Sequence, residues 1–170
     1  MNVIFHVTTA VGLTVALADT LKVKTIKDSF IPAICAFGCG VIVHGILDYL
    51  PHTYPFSAKS DMLISLIMIG IILYLSHKKY LLIILSAILG CILPDLIDLL
   101  PPMLNKYIGL NIPVDDKLFP WHAPEYSGSI FTGTSNASDI NHITVILITG
   151  AICWCRRTDF ENIFIRKKMK

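Results

Sequence analysis

Charge is scarce in this 170-residue chain: only 15% of its residues are Asp, Glu, Lys or Arg, against roughly a quarter in an ordinary soluble domain. The shortage falls in long uncharged runs, which argues against a polar-surfaced globule and for helices that cross a membrane. With 14 basic and 12 acidic residues the net charge is +2, and no basic stripe interleaved with aromatics occurs, so nucleic acid is not an expected partner. The five cysteines (35, 39, 91, 153 and 155) include no Cys-x-x-Cys pair. Neither a disulfide framework nor a thiolate zinc site is therefore expected, and they read as small apolar residues. The first apolar run starts at Val3 with no basic residue before it, which argues against a cleavable signal peptide. There is no Gly-x-Ser-x-Gly and no Gly-rich phosphate loop, so serine hydrolases and nucleotide enzymes are not supported.

What is present is apolar sequence in five stretches, at about 3–18, 30–50, 62–76, 80–100 and 143–155. The fold class expected is all-α: one polytopic membrane domain over 1–170, with the bilayer as its first partner. Three of the stretches are shorter than the ~20 residues of an upright span, implying local thinning or help from flanking residues. Gly12, Gly38, Gly40 and Gly90 would allow helices to approach closely. The long connection, 101–141, is rich in Pro, Gly, Ser and Asn and is expected to be an irregular lid held by contacts. Alternate connections carry eleven and three Lys or Arg residues. The positive-inside rule then puts the N-terminus outside and the C-terminal tail in the cytoplasm of a plasma-membrane protein.

That topology sorts the polar residues. His6 falls at the outer start of the first stretch, and His44, Asp48 and His52 at the outer end of the second. Asp95 and Asp98 fall at the outer end of the fourth, His122 and Glu125 in the outer loop, and His142 at the outer start of the fifth. Only His77, beside Lys78 and Lys79, lies on the other side, where it reads as an ordinary interfacial residue. His44 and Asp48 are one helical turn apart, Asp95 and Asp98 share a face, and Pro51 turns the chain so that His52 follows the helix end. Carboxylates in an apolar helix cost ~2.5–3.5 kcal/mol each at its centre, and a bound cation would offset that. A His-rich set with carboxylates and no thiolate suits zinc, one ion or two, with manganese or iron as alternatives. The candidate ligands are His6, His44, Asp48, His52, Asp95, Asp98, His122 and His142. Glu125 and Asp98 are the candidate catalytic carboxylates. Such a site acidifies water to a pKa of ~7 and so provides a nucleophile.

These motifs resemble loosely defined bacterial families of small membrane-bound hydrolases to which metal dependence is ascribed. Members combine an early His, a His-x-x-x-Asp-x-x-Pro-His-like element, a Pro-Asp-x-x-Asp-like element and further histidines. The matching pieces here are His6, His44 to His52, Pro94-Asp95-Leu96-Ile97-Asp98 and His122. A His-Arg-Gly-x-Thr-His-Ser element carried by one branch is absent. The resemblance implies hydrolysis of an ester or phosphoester, and the headgroup depth of the residues suggests a lipid-related substrate. Two other classes fit the same composition: an ion or metal transporter, which would need polar groups near the midplane, and a scaffold whose outer cluster only stabilises packing.

Overall fold

The computed structural model describes residues 1–114 and 116–165. Seven α-helices follow in order: α1 Val3–Leu17, α2 Phe30–Tyr49, α3 Ala58–Leu75, α4 Leu81–Asp98, α5 Leu100–Ile108, α6 Asn136–Cys155 and α7 Arg157–Phe164. No strand occurs among the described residues; a single bridge pairs His52 with Ser129. Four segments, Lys27–Tyr49, Ala58–Leu75, Lys78–Asp98 and Asn136–Cys155, are long and apolar enough to cross a membrane. The first helix is equally apolar but has 15 residues.

This short helix is the axis of the bundle, packing against α2, α3, α4 and α6. Its Val7, Ala10 and Val15 are buried with Ala33 and Ala36 of α2 and with Ile83, Ile84 and Ala87 of α4. Thr8, Thr9 and Thr14 return their hydroxyls to the carbonyls of Ile4, Phe5 and Ala10, so they add no unsatisfied group to an apolar interior. The outward faces of α2, α3 and α6 expose Ile31, Ile42, Leu66, Ile67, Ile146 and Leu147. An apolar belt of that extent suits lipid rather than water.

Two glycines bring α2 and α4 together. A Cβ on Gly90 would lie 2.3 Å from the Phe37 carbonyl oxygen, and one on Gly40 would lie 2.9 Å from the Cys91 nitrogen. Backbone meets backbone at this crossing, as Gly40 and Gly90 suggested, whereas nothing lies within 4 Å of a Cβ added at Gly38. Pro94 sits inside α4, which nevertheless continues to Asp98.

The helix limits depart from the sequence reading in three places. The last long helix begins at Asn136 rather than near 143, because Ser135 caps it by accepting from Ser138 N and a polar first turn hides it from hydropathy. The third begins at Ala58, capped by Ser57. The stretch expected to be irregular opens with α5, since Pro101 and Pro102 fall in its first turn, where a missing N–H is harmless. Gly109, at φ +74°, ends it.

The helix ends segregate chemically. At one end, Asp61 of α3 accepts from the Val3 and Ile4 amides at 2.8 and 3.0 Å and so caps α1 from a neighbouring helix. At the other, Arg156 binds the carbonyls of Ala16 and Ala18 and pairs with Asp159. Asp159 in turn accepts from Thr20. The site residues gather at the first end.

Candidate metal centre

α2 presents His44 and Asp48 one turn apart, and both are buried. α4 delivers Asp95 and Asp98 from its last turn. The long connection returns over them and inserts His122 at the end of a short 3-10 turn, Pro120–His122. Two close approaches seat it. The Trp121 ring lies where a Cβ on Gly45 would come within 2.7 Å, and Gly128 lies against the backbone of Leu50, whose carbonyl oxygen would be 2.1 Å from a Cβ there. Backbone bonds from Gly128 N to Asp48 O, from His52 N to Gly128 O and from Ile130 N to His52 O complete the seating at 2.8–2.9 Å.

The tautomers of two histidines follow from their partners. His44 Nδ1 is 2.7 Å from the Cys91 carbonyl, an obligate acceptor, so Nδ1 carries the hydrogen. His122 Nδ1 is 2.8 Å from Asp98 Oδ2 and donates to it. Each ring then offers Nε2 inward, and the two Nε2 atoms face each other at 3.3 Å. Asp48 Oδ2 lies 3.4 Å from His44 Nε2 and 3.3 Å from His122 Nε2, and Asp95 Oδ1 lies 3.7 and 3.3 Å from the same atoms. Ligand atoms ~2.0–2.1 Å from a tetrahedral ion are separated by about 3.3–3.4 Å, which four of these five edges match and the 3.7 Å edge from His44 to Asp95 exceeds. The His44, Asp48, Asp95 and His122 group could hold a metal ion.

Electrostatics point the same way. Burial alone would push the His122 imidazole down, but hydrogen bonds to Asp48, Asp95 and Asp98 hold it up at about 9. Three carboxylates around one ring are a negative excess that favours any cation, whether a proton or a metal.

The remaining sequence candidates lie around this group. Asp98 is fully engaged: it accepts from Leu118 N, Phe119 N and His122, so it orients a histidine rather than facing the cluster. His6 stacks on His44 at 4.1 Å. Its Nε2 is 3.2 Å from Asp48 Oδ1 but off hydrogen-bond direction, and both its buried ring nitrogens are without a partner. His52 is buried to one side, with Nδ1 on the Leu50 carbonyl and Nε2 near Tyr54 Oη, Ser129 Oγ and the Met1 nitrogen. The Met1 nitrogen also lies 2.5 Å from Asp48 Oδ1. His142 stacks on Phe5 at 4.3 Å, away from the four donors. Glu125 is exposed on the turn beyond His122. Sequence reasoning missed Asp61, whose only signal was an acid placed just before an apolar run. It also missed Trp121 and Gly128 as the contacts that seat the loop.

No family model, curated protein or solved structure matches the chain.

Proposed function

We propose that this protein is a membrane-embedded, metal-dependent hydrolase that cleaves an ester or phosphoester bond, with a lipid headgroup as the favoured class of substrate. The observation that carries this reading is the convergence of His44 Nε2, His122 Nε2, Asp48 Oδ2 and Asp95 Oδ1 within 4.8 Å of one another, with each carboxylate 3.3–3.7 Å from both imidazole nitrogens. These residues would hold zinc, or manganese or iron, and a bound ion would supply Lewis acidity and an acidified water. His6, beside the other oxygen of Asp48, is the histidine available to a second ion.

The chain's own groups supply the positioning. The Cys91 carbonyl and Asp98 keep both histidines in the tautomer that offers Nε2. Trp121 roofs the site over Gly45. Asp98 is consumed by its three donors, which leaves Glu125, exposed on the covering turn, as the carboxylate for proton transfer. In this reading α1 crosses together with the four longer helices. The excess of basic residues in the alternate connections of the sequence supports a site on the extracytoplasmic face of the plasma membrane.

Metal analysis of the purified protein tests the proposal. The expected result is bound transition metal in the wild type and none in a His44→Ala Asp48→Ala double variant, with hydrolysis of fluorogenic ester or phosphodiester substrates lost on chelation. A wild type that binds no transition metal overturns it.

A further inference from the structure

At the end of the bundle remote from the metal cluster lies a cleft of about 370 Å³, lined among others by Thr20, Lys24, His77, Lys79, Tyr80 and Asn162. It forms where the α1–α2 connection, the turn between α3 and α4, and α7 meet. The turn is fixed in place: His77 N donates to the Ile163 carbonyl, and Ser29 Oγ donates to the Lys79 carbonyl.

The polar groups of this cleft are almost all donors. Lys24 and Lys79 bring two ammonium groups. His77 Nδ1 accepts from Lys79 N, so its hydrogen sits on Nε2. Asn162 spends one amide hydrogen on Thr20 Oγ1, and its other has no acceptor among the described residues. Tyr80 is wholly buried and its hydroxyl has no hydrogen-bond partner, an unusual state for a buried polar group.

Among the described residues, no carboxylate lines the cleft. Of the carboxylates beside lining residues, Asp19 accepts from Leu21 N and pairs with Lys22, Asp28 accepts from the amides of Lys24 and Thr25, Asp159 is engaged by Thr20 and Arg156, and Glu161 is exposed next to Asn162. A half-open, donor-rich, doubly cationic cleft without a lining acid is complementary to an anion with several acceptor oxygens.

We infer that this cleft binds a phosphate group, held by Lys24 and Lys79 with His77 and Asn162 as further donors. At the end of a membrane-crossing bundle the group could belong to an anionic phospholipid or to free phosphate. Positive-inside orientation puts the cleft on the leaflet surface where anionic lipids concentrate. The inference does not depend on the metal centre.

Native mass spectrometry of the full chain released from neutral-lipid nanodiscs, and from nanodiscs with phosphatidylglycerol added, tests it. The wild type should retain phosphatidylglycerol, and Lys24→Gln Lys79→Gln should weaken retention roughly tenfold or more. Lys22→Gln Lys78→Gln removes the same charge from the same end but outside the cleft, and should leave retention unchanged. Titration with inorganic phosphate separates the sources. Displacement of the lipid by phosphate marks a site for the bare group, and retention despite phosphate marks one that also needs the glycerol or chains. Equal losses in the two double variants, or no loss in either, overturn the proposal.

Discussion

At the scale of single residues, the candidate site is a matter of which atom each histidine offers. His44 and His122 owe their inward Nε2 atoms to acceptors behind them, the Cys91 carbonyl and Asp98. Asp98→Asn can no longer act as a charged acceptor for His122, so metal affinity should fall about 10–100-fold while the four donors stay in place; calorimetric titration with zinc measures it. His52 behaves differently. Burial disfavours its imidazolium and lowers it from 6.5 to about 4. Below pH 6.5 the unfolded chain takes up a proton that the folded chain refuses. The contribution of neutral His52 is therefore whole above 6.5 and declines as the pH falls towards 4. Because His52 exchanges backbone bonds with Gly128 and Ile130, the protection factor of the Ile130 amide should drop over that window, and His52→Gln should flatten the drop. The spacing of His44 and Asp48 was legible in the sequence, since it needs only a helix. The division of labour between Asp95 and Asp98 was not. They share a helix face, and only the returning loop, with its Leu118 and Phe119 amides, decides that Asp98 looks outward to it.

At the scale of elements, the cluster depends on how closely α2 and α4 cross. An added methyl at Gly90 would have to displace the Phe37 backbone. Gly90→Ala should therefore lower the thermal midpoint in detergent, with overpacking of this kind costing about 1–3 kcal/mol, and should release metal. Gly38→Ala on the same α2, where nothing lies within 4 Å of the new methyl, should do neither. Asp61 poses a separate test. It satisfies two amides at the start of α1, so Asp61→Ala should destabilise the fold by about 1 kcal/mol, the usual worth of a helix cap, read from the same melting curves. Hydropathy located the long helices because their apolar runs are uninterrupted. It missed the first turns of α3 and α6, where capping serines and polar residues start a helix before the apolar run does. It missed α5 because prolines that would break a helix interior are harmless in a first turn.

At the scale of the whole molecule, parity and charge do most of the sorting. Counting basic residues per connection placed His44, Asp48, Asp95 and His122 at one end before any distance was known, and the fold brings those four together. Side-chain geometry was beyond that argument, which fixes a level in the membrane but not a direction around the bundle axis. The orientation itself is testable in a cysteine-free background. Tyr126→Cys, on the exposed loop, should react with a membrane-impermeant thiol reagent in intact cells, and Arg157→Cys should react only after permeabilisation. The shortness of α1 carries one more consequence. From His6, level with the cluster, to Ala16, whose carbonyl holds Arg156, is ten residues, or about 15 Å of helix. The hydrocarbon of a bilayer is ~30 Å thick. The four longer helices have the length to cross it, so it is α1, uncharged between those two levels, that would need flanking residues or a locally thinned bilayer to complete a crossing.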